Sequence, residues 1–178
     1  SDVYTRRGSG SAAGAVAGGS ALVRGGSNQV ADAAAITLSG GTISRSGGVS
    51  ETMGELSLTA ASTIDYGSGS TGTLAFGVYE SGSTPDFVLT VNNFAEGNVL
   101  SLDSDLSGYL PVSYTGSAYS STYFDINSTG GFTSAWDTNS STFSITAVPE
   151  PSTYVAGGLL LLLIGGSFCR RRLAKVRG

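Results

Sequence analysis

From position 36 onward, short apolar runs alternate with small or polar residues and are cut off by glycine, serine and asparagine. Leu74, Phe76 and Val78 fall on one side of a period-two pattern, and so do Phe87, Leu89 and Val91. Ile36-Thr37-Leu38, Leu56-Ser57-Leu58-Thr59, Ser62-Thr63-Ile64 and Val99-Leu100-Ser101-Leu102 repeat the theme. Period two, carried by β-branched and aromatic residues, predicts strands. Gly40-Gly41, Gly47-Gly48, Gly67-Ser68-Gly69 and Gly97-Asn98 predict the turns between them. No stretch before position 154 has helical periodicity. The chain therefore reads as all-β. Very short strands on glycine-rich corners favour a parallel β-solenoid, each coil turning Leu, Ile or Val inward. A sandwich, the competing architecture, needs longer strands and more buried aromatics.

The pattern changes after position 102. Tyr109, Tyr114, Tyr119, Tyr123, Phe124, Phe132, Trp136 and Phe143 crowd into residues 103–147. The reading favoured here is an irregular β cap that covers the last open edge of the stack. The functional alternative is a face on which sugar rings stack. Ser144-Ile145-Thr146-Ala147-Val148 is the expected last strand.

A different pattern closes the chain. Val148-Pro149-Glu150-Pro151-Ser152-Thr153 leads into an apolar run over 154–169, and Arg170, Arg171 and Arg172 follow in a basic tail, 170–178. As a helix, 154–169 covers roughly 24 Å, against about 30 Å of bilayer hydrocarbon. It is a short transmembrane helix, helped by arginine side chains that reach the head groups. A basic cluster after an apolar run stays on the cytoplasmic side, which places everything before Pro149 outside. The two prolines hold Glu150 on extended backbone and remove two amide donors. On chemistry alone this is a single-pass anchor.

Charge divides the chain the same way. Five of nine basic residues lie in the tail; the first 169 residues set four arginines against thirteen acids, a net charge of −9. That body contains no lysine, so it lacks the basic face that nucleic-acid binding requires. The chain has no histidine and one cysteine, Cys169, which removes the commonest general base and any intramolecular disulfide. Asp103-Ser104-Asp105 offers two carboxylates to calcium, but a solvated turn is the favoured reading. Asn127-Ser128-Thr129 and Asn139-Ser140-Ser141 match the glycosylation pattern. Gly67-Ser68-Gly69-Ser70 lacks the spacing and lysine of a phosphate loop. Without His or Lys in the body, no serine has its usual base. No catalytic residue, metal site or cofactor is expected.

The tail closely resembles the PEP-CTERM sorting signal of Gram-negative bacteria, in all three parts and in order. The resemblance implies that a membrane-embedded cysteine protease, an exosortase, recognises Pro149, Glu150 and Pro151. It implies that 154–169 holds the substrate in the membrane and that Arg170, Arg171 and Arg172 stop transfer. Residues 20–77 resemble autotransporter-associated β-strand repeats, notably at Leu38-Ser39-Gly40-Gly41-Thr42 and Ser62-Thr63-Ile64-Asp65-Tyr66-Gly67. That likeness implies a right-handed β-helix. Residues 8–26 depart from it, being mostly Ala and Gly, and a poorly formed coil is expected there. Few-coil stacks are unstable alone, so residues 1–102 are expected to end a longer repeat array, followed by the cap (103–147) and the sorting signal (148–178, motif 148–153).

The resulting expectation is a non-enzymatic, exported structural protein. It passes through the inner membrane and then joins the envelope, outer surface or extracellular matrix, with exopolysaccharide as a partner. A carbohydrate-binding or adhesive module is the alternative. A glycan-cleaving β-helix enzyme is the remote third reading, because such enzymes pair acids with Arg or Lys and only Arg6, Arg7, Arg24 and Arg45 precede the tail.

Overall fold

The computed structural model describes residues 14–17, 21–24, 26–27, 30–45, 47–80 and 87–149. In chain order the first strands are β1 (Gly14–Ala17), β2 (Ala21–Arg24), β3 (Ile36–Ser39), β4 (Thr42–Arg45), β5 (Glu51–Met53), β6 (Leu56–Ala60), β7 (Ser62–Asp65) and β8 (Gly72–Phe76). They continue as β9 (Tyr79–Glu80), β10 (Leu89–Phe94), β11 (Asn98–Leu102), β12 (Ser113–Tyr114), β13 (Ala118–Ser120), β14 (Phe124–Ser128), β15 (Phe132–Asp137) and β16 (Thr142–Ala147). The protein is all-β among its described residues, and no helix there is long and apolar enough to cross a membrane. The apolar run 154–169 and the basic tail lie outside the described residues.

The described residues build three sheets, ordered β1-β3-β6-β9, β13-β14-β10-β7-β4-β2 and β12-β15-β16-β11-β8-β5. From β3 to β11 the chain visits them in a fixed rotation: first, second, third. Each strand pairs parallel with the strand that occupies its sheet one round earlier. Residues that share a register position are chemically alike. Ile43, Ile64, Val91 and Ile126 form one inward column of the second sheet. Leu74 and Leu100 line the third sheet with Ile145. All seven are essentially buried. Alternation therefore sends every second residue into one continuous core.

Side chains stitch the corners. The Ser50 N–H donates to Ser27 Oγ at 3.2 Å, and the Thr73 N–H donates to Ser50 Oγ at 3.1 Å, each bond spanning 23 residues. One corner after another thus satisfies a backbone donor with the hydroxyl one round earlier. The predicted turn glycines sit where φ is positive, at Gly40, Gly47, Gly67, Gly69 and Gly97.

One local expectation meets a different outcome. Val78 does not continue the inward face of Leu74 and Phe76; it is 48% exposed. The chain bends at Gly77, whose N–H donates to the Met53 and Gly54 carbonyls. The bend resets the alternation, so Tyr79 points inward in place of Val78. Of the Ala/Gly-rich segment 8–26, the described residues include β1, which pairs in register with β3, and β2, which pairs with β4.

Beyond residue 102 the parallel rule gives way. β14 still adds parallel to β10, but β16 adds antiparallel to β11, β15 to β16, β12 to β15 and β13 to β14. Short antiparallel strands replace a long open edge, a common way of blunting it. The folded unit closes at Val148, whose N–H donates to Gly131 O at 3.1 Å.

Gly67 and Gly47 separate two costs. Both have φ near +75°, but a Cβ on Gly67 meets Arg45 O at 2.6 Å whereas one on Gly47 meets nothing within 4 Å. Gly47→Ala is expected to cost about 1 kcal/mol for left-handed backbone alone. Gly67→Ala adds an overpacking term and should cost about 2–4 kcal/mol. Urea unfolding of the two variants checks the difference; equal midpoints would refute the close-packed corner.

Candidate functional site

Two places among the described residues gather polar chemistry. The first is enclosed. The alternation of β4 turns Arg45 inward. Arg45 is 1% exposed. Its guanidinium lies 4.3 Å from the centroid of the Tyr66 ring. Nη1 donates to the Val49 carbonyl and Nη2 donates to Asn98 Oδ1, while Nε is without a partner. Tyr66 packs edge-on to Phe94 at 5.2 Å and donates its hydroxyl to Val99 O at 2.7 Å. Burial pushes the Arg45 pKa down and the Tyr66 pKa up. An arginine keeps its charge regardless, and no substrate reaches it. The cluster is a structural tie across three rounds of the chain.

The second place is open. A cavity of about 240 Å³ is lined by Tyr79, Ser104, Asp105, Leu106, Tyr109, Tyr123 and Phe124. Its position follows from the sheets. Among the described residues the first sheet ends at β9, and none of their strands pairs with the outer edge of Tyr79. Ser104 takes over the missing backbone bonds: its hydroxyl accepts from the Tyr79 N–H at 2.8 Å and donates to Tyr79 O at 3.2 Å. A turn then forms over 105–110. The Ser107 N–H donates to Asp105 Oδ1 at 3.0 Å, and Tyr109 N–H to Leu106 O at 2.9 Å. Leu106 and Leu110 anchor this turn in the core and leave Tyr109 48% exposed between them.

The far wall comes from the entry to β14. Ser121 Oγ accepts from the Tyr123 and Phe124 N–H groups, and Tyr123 O receives the Leu89 N–H at 2.9 Å. Tyr109 and Tyr123 meet edge to face at 4.7 Å, and Tyr79 tilts against Phe124 at 5.9 Å. The Tyr79 hydroxyl is buried without a hydrogen-bond partner. Burial raises its pKa, so it stays a neutral hydroxyl. Bonds from the Ser107 backbone and side chain lower the Asp105 pKa, so its carboxylate stays ionised.

Of the residues singled out from sequence, Pro149 is described and half-buried just beyond β16. Glu150, Pro151, Arg170, Arg171 and Arg172 lie outside the described residues. Asp103 and Asp105 do not converge: Asp103 accepts from Thr142 Oγ1 at 3.2 Å, while Asp105 faces its own turn. No group of three acidic or cysteine side chains suited to a metal occurs among the described residues. Trp136, Tyr114, Tyr119 and Tyr123 pack against the core, and Phe124, Phe132 and Phe143 are buried within it. Tyr79 was not legible as a site residue, since an inward tyrosine on a strand reads as core. No protein-family model, curated protein or solved structure matches the chain.

Two outcomes follow from these geometries. Arg45→Ala strands the Val49 and Asn98 acceptors and opens a hole, an expected loss of about 3–5 kcal/mol. Arg45→Met refills the volume and should cost clearly less; denaturant midpoints decide, and equal losses would refute the reading. The depressed Asp105 pKa contributes stability above the unfolded value of 3.8, lost as pH falls through the lower folded value. The melting-temperature gap between wild type and Asp105→Asn should therefore shrink between pH 5 and pH 2, and a constant gap would contradict it.

Proposed function

We propose that this chain is a non-enzymatic, exported structural protein of the cell surface or extracellular matrix of a Gram-negative bacterium. An exosortase sorts it and cuts it near its C-terminus. The observation that carries the reading is the order of Pro149-Glu150-Pro151, the apolar run 154–169 and Arg170-Arg171-Arg172 at the end of an acidic, lysine-free body. In this reading the tail holds the protein in the inner membrane until cleavage, and exopolysaccharide surrounds the released body.

The body is read as the end of a right-handed parallel β-solenoid with a β cap. Support comes from the fixed rotation among three sheets, the parallel register of each round on the last, and the antiparallel strands after residue 102. The right hand is the one that parallel crossovers almost always take. A stack of this kind is stiff, and its outer faces carry polar residues. The non-enzymatic reading rests on residue types: no histidine, no lysine before the tail, and the body's Arg45 sealed in the core.

The test is expression of the full-length chain in a host with and without its exosortase. The expected product is shortened and external in the first host, full-length and membrane-bound in the second. Replacing Pro149, Glu150 and Pro151 together by alanine should mimic exosortase loss. A tail that stays attached in the normal host would reduce it to a plain anchor.

A further inference from the structure

We propose that Asn139, at the tip of the β15–β16 hairpin, is an attachment site for an N-linked glycan. The asparagine must meet its glycan donor outside the cytoplasm, and to that extent the inference rests on the export reading.

The chain holds two asparagines followed at two residues by a hydroxyl, Asn127 with Thr129 and Asn139 with Ser141. That pattern serves as a glycan acceptor where a surface loop presents it. Both asparagines also follow an aspartate by two residues, Asp125 and Asp137. A carboxylate there gives a cationic group of the transferring enzyme a second hold. The two sites share a motif and differ in fold.

Asn139 lies where an enzyme can take hold of it. Ladder pairing in the hairpin ends at Asp137 and Thr142, so 138–141 belong to neither strand. Residues 137–141 are all exposed. Ser141 turns the chain with a φ of 54°. One carboxylate orders the tip: Asp137 accepts from the Asn139 N–H at 2.9 Å and from Ser140 Oγ at 2.9 Å. These bonds hold the Asp137 pKa down, so the group stays ionised. Seating the tip in a cleft breaks only such local bonds and leaves the ladder of β15 and β16 in place.

Asn127 is the contrast. It sits within β14, between β10 and β13. Its Nδ2, the atom that would carry the sugar, donates to Asn92 Oδ1 at 2.8 Å. The next two residues are tied as well. Ser128 donates its N–H to Ser117 O at 3.0 Å, and Thr129 donates its N–H to Phe94 O at 3.3 Å. Reaching Asn127 means peeling β14 from its sheet. Losing two backbone bonds makes the open form at least about tenfold rarer.

The transfer is a substitution at carbon. Asn139 Nδ2 attacks the anomeric carbon of an oligosaccharide carried on a polyprenyl diphosphate. The bond from Nδ2 to C1 forms and the bond from C1 to the phosphate oxygen breaks. One Nδ2 proton passes to the enzyme's base, and polyprenyl diphosphate departs. This chain supplies the acceptor amide alone, which a body without histidine or lysine can do.

The full-length chain is expressed in its own host and fractionated, and its peptides are sequenced by electron-transfer mass spectrometry. In parallel, folded full-length protein from a host without glycosylation is incubated in detergent with a bacterial oligosaccharyltransferase and a polyprenyl-diphosphate-linked oligosaccharide. For exported chain the host result decides. Chain retained in the cytoplasm counts against the export reading, and the reconstituted reaction then decides. Glycan is expected on Asn139, with occupancy of Asn127 at most about a tenth of that. Asn139→Gln and Ser141→Ala should each abolish the added mass without moving the melting temperature, whereas Asn127→Gln should keep it. A bare Asn139 in the deciding arm overturns the proposal. So does equal occupancy of Asn127, or added mass that survives Ser141→Ala or maps to Ser140.

Discussion

Parallel register is the constraint on which the rest of this structure depends. A strand of two to six residues buries too little surface to hold itself. Each one persists because its backbone bonds to the strand of the previous round and its inward side chains rest on like side chains. A shift of one residue would turn the whole inward column of Ile43, Ile64, Val91 and Ile126 to the outside. The corners carry the same constraint. A corner that closes one residue early or late breaks the Ser27–Ser50–Thr73 chain of hydroxyl-to-amide bonds. The sequence therefore repeats itself at corners as well as in strands, with glycine where backbone must pass close to the previous round.

The open cavity is a consequence of how that stack ends. Among the described residues the second and third sheets go on past β10 and β11 with β14 and β16, whereas the first sheet ends at β9. The chain must cover the outer side of Tyr79 with something other than a strand. Ser104 replaces the hydrogen bonds of the missing strand, and Leu106 and Leu110 seal the core below. What they do not replace is the volume of its side chains. The gap remains beside Tyr79, roofed by Tyr109 and Tyr123. A stack in which all three sheets ended together would have no such hollow.

This explains which parts were legible in the sequence. Strands were legible because period two is imposed locally, and Leu74/Phe76 and Leu89/Val91 show it plainly. Corners were legible because glycine adopts, without the steric cost of a Cβ, the positive φ found at Gly40, Gly47, Gly67 and Gly97. Val78 misled because periodicity does not show where a chain bends, and Gly77 passes for a small outward residue. The cavity was not legible at all. Its walls come from β9, the turn after β11 and the entry to β14, brought together by the end of one sheet. The aromatic crowding of 103–147 was visible as composition. Nothing local distinguished Phe124, wholly buried, from Tyr109, half exposed.

The buried polar tie at Arg45 completes the logic of register. Apolar columns of Leu, Ile and Val are degenerate: sliding one round against the next by a whole repeat would still bury them. Arg45 removes that degeneracy. Its guanidinium needs the Val49 carbonyl from its own corner, the Tyr66 face from the next round and Asn98 from the round after. Asn98 is 0% exposed, so each member would leave the other unsatisfied in any slipped pairing. An unpaired charge in a core costs several kcal/mol, more than one extra apolar contact returns. A stack held mainly by interchangeable side chains is thus fixed in one alignment by the few that are not.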